Sequence, residues 1–320
     1  MSILRISPQP DDVCSTVGDL LGVRVAGAVP LPFSFSNVGW RVVTERGVPY
    51  VVKFGDARSE AKWRSAHCAL ELAAAVGVPV APLVRSGRDG DRLVRVFEWV
   101  EGETPGAANL GDDAAVRRFF SDLGTAVRAL HGVELEAFSS RLDGSAPSFA
   151  RWSEYVGYRL RAIAGRCRAT GALSEDEVER VCGVAERLAG EVDGVARPVV
   201  AHRDLHAGNL LVEPGSGRLV AILDFDMAEA WDRAADFDKL DRMLIHAFPA
   251  VAREAFDSAY YGGGSRPPRW EERGRLVALI EAFNTLPNAI VTDWKTEYAE
   301  DARRRLWAVV AGSPPAAGVS

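Results

Sequence analysis

Lysine is nearly missing from this chain: of the 38 basic residues among 320, only Lys53, Lys62, Lys239 and Lys295 are lysines. Where arginine is the default base, a lysine inside an apolar strand points to a need for a compact point charge. Cysteine is sparse as well. Cys14, Cys68, Cys167 and Cys182 form no C-x-x-C and no zinc-type spacing with histidine, which fits free thiols in a reducing compartment. Long apolar runs are lacking too. The longest, Ala69 to Val84, is broken by Glu71, Pro79 and Pro82, so no membrane span is expected, and the first twelve residues are too polar for a signal peptide. A cytoplasmic location follows as the expectation. A basic excess is also absent: the net charge of −6 gives no signal for a nucleic acid or membrane partner. No internal repeat is visible.

The length exceeds one ordinary domain, so two lobes are expected. An early apolar segment, Val17 to Val25, reads as helix-like. Pro32 to Gly39 is a small polar and aromatic turn that leads into Trp40-Arg41-Val42-Val43, a break at Glu45-Arg46-Gly47, and Tyr50-Val51-Val52-Lys53-Phe54. That is a hairpin whose entry loop, Ser34-Phe35-Ser36-Asn37, could cover phosphates with backbone N–H groups and hydroxyls. Lys53 is either an exposed strand-end lysine or a phosphate contact. A helix is predicted from Ser59 to Val76 with Trp63, His67, Leu70 and Ala74 as its apolar stripe and His67 as a core histidine. Glu60 and Glu71 lie near that stripe. Either could pair with Lys53, and Glu60, in the first turn, is preferred. Two strand-like runs follow, Val78 to Val84 and Arg92 to Val100. Pro and Gly with charge at Glu101-Gly102-Glu103-Thr104-Pro105-Gly106 suggest a boundary between lobes at 1–101 and 102–320.

Beyond it the apolar period becomes helical, over Asp112 to His131, Ser148 to Ala169, a helix opening with the capping box Ser174 to Glu177, and four helices between Ala235 and Ala311. The centre of the chain differs. Val199-Val200-Ala201 and Leu210-Leu211-Val212 flank the polar loop His202-Arg203-Asp204-Leu205-His206-Ala207-Gly208-Asn209, and Leu219 to Leu223 runs into Asp224-Phe225-Asp226. This reads as a strand hairpin with charge at both ends. Asp204 could accept a hydroxyl proton, and Asn209 and Asp224 are hard oxygen ligands that could meet around one Mg²⁺. A charge on phosphates, a metal and an orienting carboxylate are the parts that phosphoryl transfer from a nucleotide needs.

His202-x-Asp204-x-x-x-x-Asn209 followed by Ile222-Leu223-Asp224-Phe225 resembles the catalytic and metal motifs of kinase-fold enzymes. The form His-Arg-Asp-Leu-His-Ala-Gly-Asn is similar to the aminoglycoside phosphotransferase and choline kinase branch, and Asp232 to Phe237 resembles the segment that follows there, with Trp231 and Arg233 in place of the usual Gly and Pro. The resemblance implies an α+β, bilobal protein-kinase-like fold: a small antiparallel-sheet lobe with one helix, and a larger, mainly helical lobe. It implies Asp204 as catalytic base and Asn209 and Asp224 as Mg²⁺ ligands. Lys53 would contact the α- and β-phosphates of ATP or GTP, braced by Glu60, under the loop Ser34, Phe35, Ser36 and Asn37. Backbone of Glu98, Trp99 and Val100 would meet the purine. His202 would orient, and Asp236 would serve the catalytic loop through backbone contacts. Asp226 is either a second metal- or substrate-side carboxylate or an acid solvating the turn.

The expected activity is transfer of a γ-phosphate to a hydroxyl of a small molecule, possible acceptors being an antibiotic or a primary metabolite, by a monomer or homodimer. A protein kinase fits less well, because few residues separate Asp224 from the helix near Ala235. A nucleotide-binding module without catalysis is the reading from a different class. For the acceptor, Trp152, Tyr155, Tyr158, Trp270, Asp293, Trp294 and Glu297 are candidates, each equally readable as core or solvated surface.

Overall fold

The computed structural model describes residues 8–31, 38–108, 110–292 and 296–312. Helix α1 (Pro10–Leu21) has Pro at its first position, where the missing N–H costs no hydrogen bond, and ends on Gly22 at φ 67°. The helix-like segment expected at Val17 to Val25 therefore lies earlier in the chain, and Val25 already belongs to β1 (Val25–Pro30). Strands β2 (Val38–Thr44) and β3 (Pro49–Asp56), helix α2 (Glu60–Ala75), and strands β4 (Leu83–Asp89) and β5 (Arg92–Glu98) complete the small lobe. Its sheet is antiparallel, in the order β1-β2-β3-β5-β4. Helix α1 is additional to the single helix expected here.

Alternation along the strands decides what each face of this sheet does. Val52 pairs across the ladder with Val96, and Phe54 with Val94. These four, with Trp40 and Val42, pack on Val13 and Val17 of α1 and close a dry core. Lys53 is one residue out of phase with them and lies directly opposite Arg95. Two cations therefore share the other face, toward α2. The expected strand at Val78 to Val84 is not formed as drawn. Pro79 and Pro82 lack ladder donors, and pairing with β5 starts at Leu83 and runs to Asp89.

The larger lobe comprises α3 (Asp113–Leu130), β6 (Phe138–Ser139), β7 (Ser148–Phe149), α4 (Trp152–Thr170), α5 (Glu175–Val192), β8 (Pro198–Ala201), β9 (Leu210–Val212), β10 (Leu219–Ile222), β11 (Glu229–Asp232), α6 (Phe237–Met243), α7 (Ala250–Tyr261), α8 (Trp270–Thr292) and α9 (Thr296–Val310). Its caps are those its sequence announces: Asp112 accepts from the Ala115 N–H at 2.7 Å, and Ser174 and Glu177 form the reciprocal capping box. Phe119, Phe120 and Leu123 of α3 pack in one core with Phe256 of α7, and a second core joins α4, α5, α8 and α9. Each such fully buried side chain contributes about 1.5–3 kcal/mol of hydrophobic stabilisation.

The central hairpin is β9–β10 alone. Strand β8, expected beside it, pairs with β11, Val200 opposite Ala230. Apolar periodicity marks a strand but does not choose its partner. The hairpin turn carries Gly217 at φ 68°, where a Cβ would lie 2.3 Å from the Ala115 carbonyl oxygen, so glycine is required there. The hairpin is tied to both flanking segments: Ile222 N–H donates to the Pro79 carbonyl at 2.8 Å, and Glu103 and Val212 exchange two backbone hydrogen bonds. The helix expected from Ala235 to Ala247 is shorter, since α6 is flanked by single turns at Arg233–Asp236 and Ile245–Ala247.

Candidate active site

The loop between β8 and β9 is held from below by one buried carboxylate. Asp236 accepts from the backbone N–H of His202 at 2.9 Å and from that of Arg203, and meets His131 Nε2 at 2.8 Å. The other His131 nitrogen reaches the Tyr260 hydroxyl at 2.8 Å. Burial pushes the Asp236 carboxyl up, but the His131 hydrogen bond and the backbone donors outweigh it and hold the group below the ordinary carboxylate value. Arg203 sits at φ 63°, a left-handed conformation that costs about 1–3 kcal/mol for such a residue. Its guanidinium turns away from the cleft, lies 3.7 Å over the Trp231 ring, and pairs with Glu229 at 2.6 Å and with Glu281. Arg159 and the Tyr155 hydroxyl also reach Glu229. The His202 ring spans the loop and the far strand: Nε2 donates to the Leu223 carbonyl at 3.0 Å, and Nδ1 accepts the Asp204 N–H at 3.2 Å.

Asp204 faces the cleft with both oxygens in polar contact. Oδ1 lies 2.6 Å from Lys239 Nζ on α6, and Oδ2 accepts from Asn209 Nδ2 at 3.1 Å, with His206 Nε2 at 3.7 Å. Asn209 Nδ2 also donates to the Asp204 carbonyl at 2.9 Å. Burial raises the Asp204 carboxyl; His206 and the Lys239 ammonium lower it further than burial raises it, so the group stays ionised far below the usual carboxylate range. Such a carboxylate is suited to orienting a hydroxyl.

At the open end of the hairpin the Leu223 N–H donates to the Asn209 carbonyl at 2.8 Å, which puts Asn209 one residue from Asp224. Asp224 has φ 62°, again left-handed, and its Oδ1 is buried without a hydrogen bond, facing Lys53 Nζ at 3.2 Å. Two residues on, Asp226 Oδ1 lies 2.6 Å from Arg95, whose guanidinium stacks 3.9 Å over Trp63 of α2. Opposite cations on adjacent strands, about 5 Å apart at Cβ, repel one another; here each has its own acid from the segment Asp224-Phe225-Asp226. Burial raises the Asp226 carboxyl, and Arg95, Lys53 and Lys62 together hold it below its ordinary value. Among the described residues, no three His, Cys, Asp or Glu side chains form a metal-binding group. A divalent cation would draw on Asn209, the orphan oxygen of Asp224 and oxygens brought by a nucleotide, a donor set that fits Mg²⁺.

Lys53, Asp224, Asn209 and Asp204 are thus linked, Lys53 to Asp224 and Asn209 to Asp204 and to the Leu223 N–H next to Asp224, and Lys53 is mid-strand rather than at a strand end. Glu60 does not join them. Its carboxylate is 45% exposed and pairs with Arg88 at 2.5 Å and Arg64 at 3.8 Å, while Glu71 pairs with His67. The physical reason is the phase of α2: its buried side is Trp63, Ala66, Ala69 and Ala73, so both glutamates and His67, expected in the core, point outward. Asp226 is not solvating a turn either, being only 4% exposed at its side chain. Glu98 ends β5, its N–H bonded to the Pro82 carbonyl at 2.9 Å; Trp99 lies beneath Arg41 at 4.7 Å, and Val100 is half-buried. Ser34, Phe35, Ser36 and Asn37 fall outside the described residues, as do Asp293 and Trp294. Trp152 and Tyr155 are core residues, and Glu297 is exposed. Sequence reasoning missed Arg95, which looks like any other arginine of a strand, and Lys239, for which lysine scarcity was an available signal.

A five-stranded small lobe set over a helical lobe, with paired acids on the loop and hairpin between them, is the protein-kinase-like fold. Within it the chain belongs to the phosphotransferase enzyme family, whose model matches residues 27–276. A curated relative, aminoglycoside 3'-phosphotransferase of Streptomyces fradiae, is 29% identical over 177 residues, 52% of this chain; the match spans 59% of that relative's length. Solved structures share the fold. A fructosamine-3-kinase candidate from Thermobifida fusca YX-ER1 is 21% identical with a TM-score of 0.64, over 92% of this chain and 100% of that one. A thermostable mutant of aminoglycoside phosphotransferase APH(4)-Ia, in ternary complex with AMP-PNP and hygromycin B, is 14% identical with a TM-score of 0.68, over 93% of this chain and 98% of that one.

Proposed function

We propose that this protein is a Mg²⁺-dependent kinase that moves the γ-phosphate of ATP or GTP to a hydroxyl of a small molecule. One observation carries the reading: Asp204 and Asn209 on the loop, and Lys53 with Asp224 across the hairpin, bring an orienting carboxylate, a metal-type donor pair and a phosphate-directed cation into one cleft. Asp204 holds the acceptor hydroxyl in line with the γ-phosphorus. As the oxygen–phosphorus bond forms, the bond from the γ-phosphorus to the bridging oxygen breaks, its electron pair leaves with the nucleoside diphosphate, and the hydroxyl proton passes to Asp204. Lys53 meets the α- and β-phosphates, exchanging Asp224 for them. Asn209 and Asp224 would hold Mg²⁺, whose charge would offset that of the phosphates. The purine lies against the backbone of Glu98, Trp99 and Val100, with the lobes meeting at 101–102.

Between Asp224 and α6 the chain has only β11 and single turns, and β11 is fixed in a sheet by β8. That leaves no long segment for a peptide and supports a small acceptor over a protein. The likeness to an aminoglycoside 3'-phosphotransferase and to a structure holding hygromycin B supports a hydroxylated antibiotic; a metabolite with a hydroxyl is the alternative. The four free thiols favour a cytoplasmic protein, and among the described residues no helix is long and apolar enough to cross a membrane. Isotope-labelled γ-phosphate transfer to a panel of antibiotics and amino or sugar alcohols is the test. Asp204→Asn should lower turnover about 10²–10⁴-fold with the melting temperature retained; undiminished transfer would sink the assignment, and nucleotide binding without turnover on any acceptor or water would leave a binding module.

A further inference from the structure

The cleft contains a charge that the proposed mechanism does not use. Lys239 extends from α6, 35 residues after Asp204, and its ammonium lies 2.6 Å from Asp204 Oδ1. The pair is neither dry nor at the open surface, with side-chain exposures of 24% and 23%. On the same helix Asp238 and Arg242 pair with each other, so charge on the neighbouring face is already satisfied. An ammonium has three donors, and Asp204 takes one. Two donors remain for a further acceptor, and the buried Glu281 carboxylate is the other acid that this charge, after Arg203, lowers against the effect of burial.

The choice of residue adds an independent observation. This chain uses arginine wherever a cation is locked in place: Arg203 with Glu229, Arg273 with Asp232 and Arg95 with Asp226 are all buried pairs. Of its described lysines, Lys53 and Lys239 each pair with an acid of the site. Lysine is a compact charge on a flexible stem and can change partners without rebuilding a planar fork of hydrogen bonds. Lys53 and Lys239 are thus matched, each resting on a carboxylate to which the kinase reading gives other work.

We propose that Lys239 is a second phosphate-directed cation of this site: it contacts the γ-phosphoryl group during transfer while its link to Asp204 keeps that carboxylate aimed at the acceptor hydroxyl. The inference rests on the kinase reading above. As the new oxygen–phosphorus bond forms, negative charge on the γ-oxygens lies between Lys53 on the nucleotide side and Lys239 on the acceptor side, and the proton still passes to Asp204. Lys239 supplies charge and takes no proton.

Mg-ATP hydrolysis, with water as the acceptor, tests this without knowing the natural substrate. Lys239→Met should lower kcat about 10–100-fold while the KM for Mg-ATP stays within twofold, because the contact forms mainly at the transferring group. Lys239→Arg, which keeps the charge, should recover at least a third of that loss on a logarithmic scale. Overturning results are a kcat within twofold of the parent in Lys239→Met, or a kcat loss that comes with a lowered melting temperature and weakened Mg-ATP binding and is equal in Lys239→Arg, which would mark a structural role. Asp204→Asn, assayed in parallel, separates the two claims: if it also hydrolyses Mg-ATP normally, the kinase reading falls first, and if it is inactive while Lys239→Met is not, only this inference falls.

Discussion

Two pairs of charges hold the segment Asp224-Phe225-Asp226 against the small sheet, and they differ in kind. Lys53 and Asp224 stand 3.2 Å apart with 18% and 19% of their side chains exposed; Arg95 and Asp226 are 2.6 Å apart with 6% and 4% exposed, under the Trp63 ring. The four residues come from neighbouring positions, Lys53 opposite Arg95 across a ladder and the acids two apart on one turn. Yet one pair is loose and wet enough to be exchanged, and the other is dry and bidentate-capable, with little reason to open. On the proposed reading, the segment that carries a metal-type acid is held by the dry pair, which leaves the wetter pair free to exchange partners. The brace expected from Glu60 to Lys53 is replaced by a different arrangement: α2 supplies an aromatic lid over Arg95 rather than a carboxylate.

Breaking the dry pair should have the largest effect. Arg95→Met leaves Asp226 buried without its guanidinium and should cost about 3–5 kcal/mol in chemical denaturation. Adding Asp226→Asn should recover a substantial part of that loss, a coupling that a double-mutant cycle reads directly; additive losses would show the two side chains to be independent. The wet pair should behave oppositely. Lys53→Met is expected to change stability by about 1 kcal/mol or less, yet to weaken Mg-nucleotide binding at least tenfold in calorimetric titration; a large stability loss with unchanged nucleotide affinity would reverse the comparison. The smallest effect belongs to Glu60→Ala, expected to shift stability by about 0.5 kcal/mol or less and to leave phosphotransfer and nucleotide affinity unaltered, since its partners are Arg88 and Arg64 at the surface.

The loop and hairpin acids were legible because their spacing is local. Asp204 and Asn209 lie five residues apart on one loop, and apolar runs on both sides announce the strands that hold them. Lys53 was legible through composition, as a lysine where arginine is the rule. What failed did so at long range or in phase. Arg95 and Asp226 are 131 residues apart, and neither is unusual where it stands. Choosing Glu60 depended on the rotation of α2, and a stripe drawn through Trp63, His67, Leu70 and Ala74 shares only Trp63 with the buried side, because Ala69 and Ala73 are fully buried in the large-lobe core while Leu70 and Leu72 are only partly buried against it. The change from strand-like runs to helical periods after Gly106 was readable from the residues, and the α+β two-lobed fold followed from the family resemblance. The partner of β8 was not, since a run of buried apolar residues carries no address.

The scarcity of lysine also makes the cleft chemically distinctive. Guanidinium groups resist the acylating reagents that modify amines, so the chain's many arginines would be bystanders to them. Lys53 and Lys239 are among only four lysine amines in the protein, and each sits beside an acid of the cleft. An acyl-phosphate nucleotide that docks there delivers its reactive carbonyl to a region where amines are concentrated, on a molecule otherwise nearly bare of them. On the proposed reading, the few lysines thus give this protein a chemical label for its candidate site.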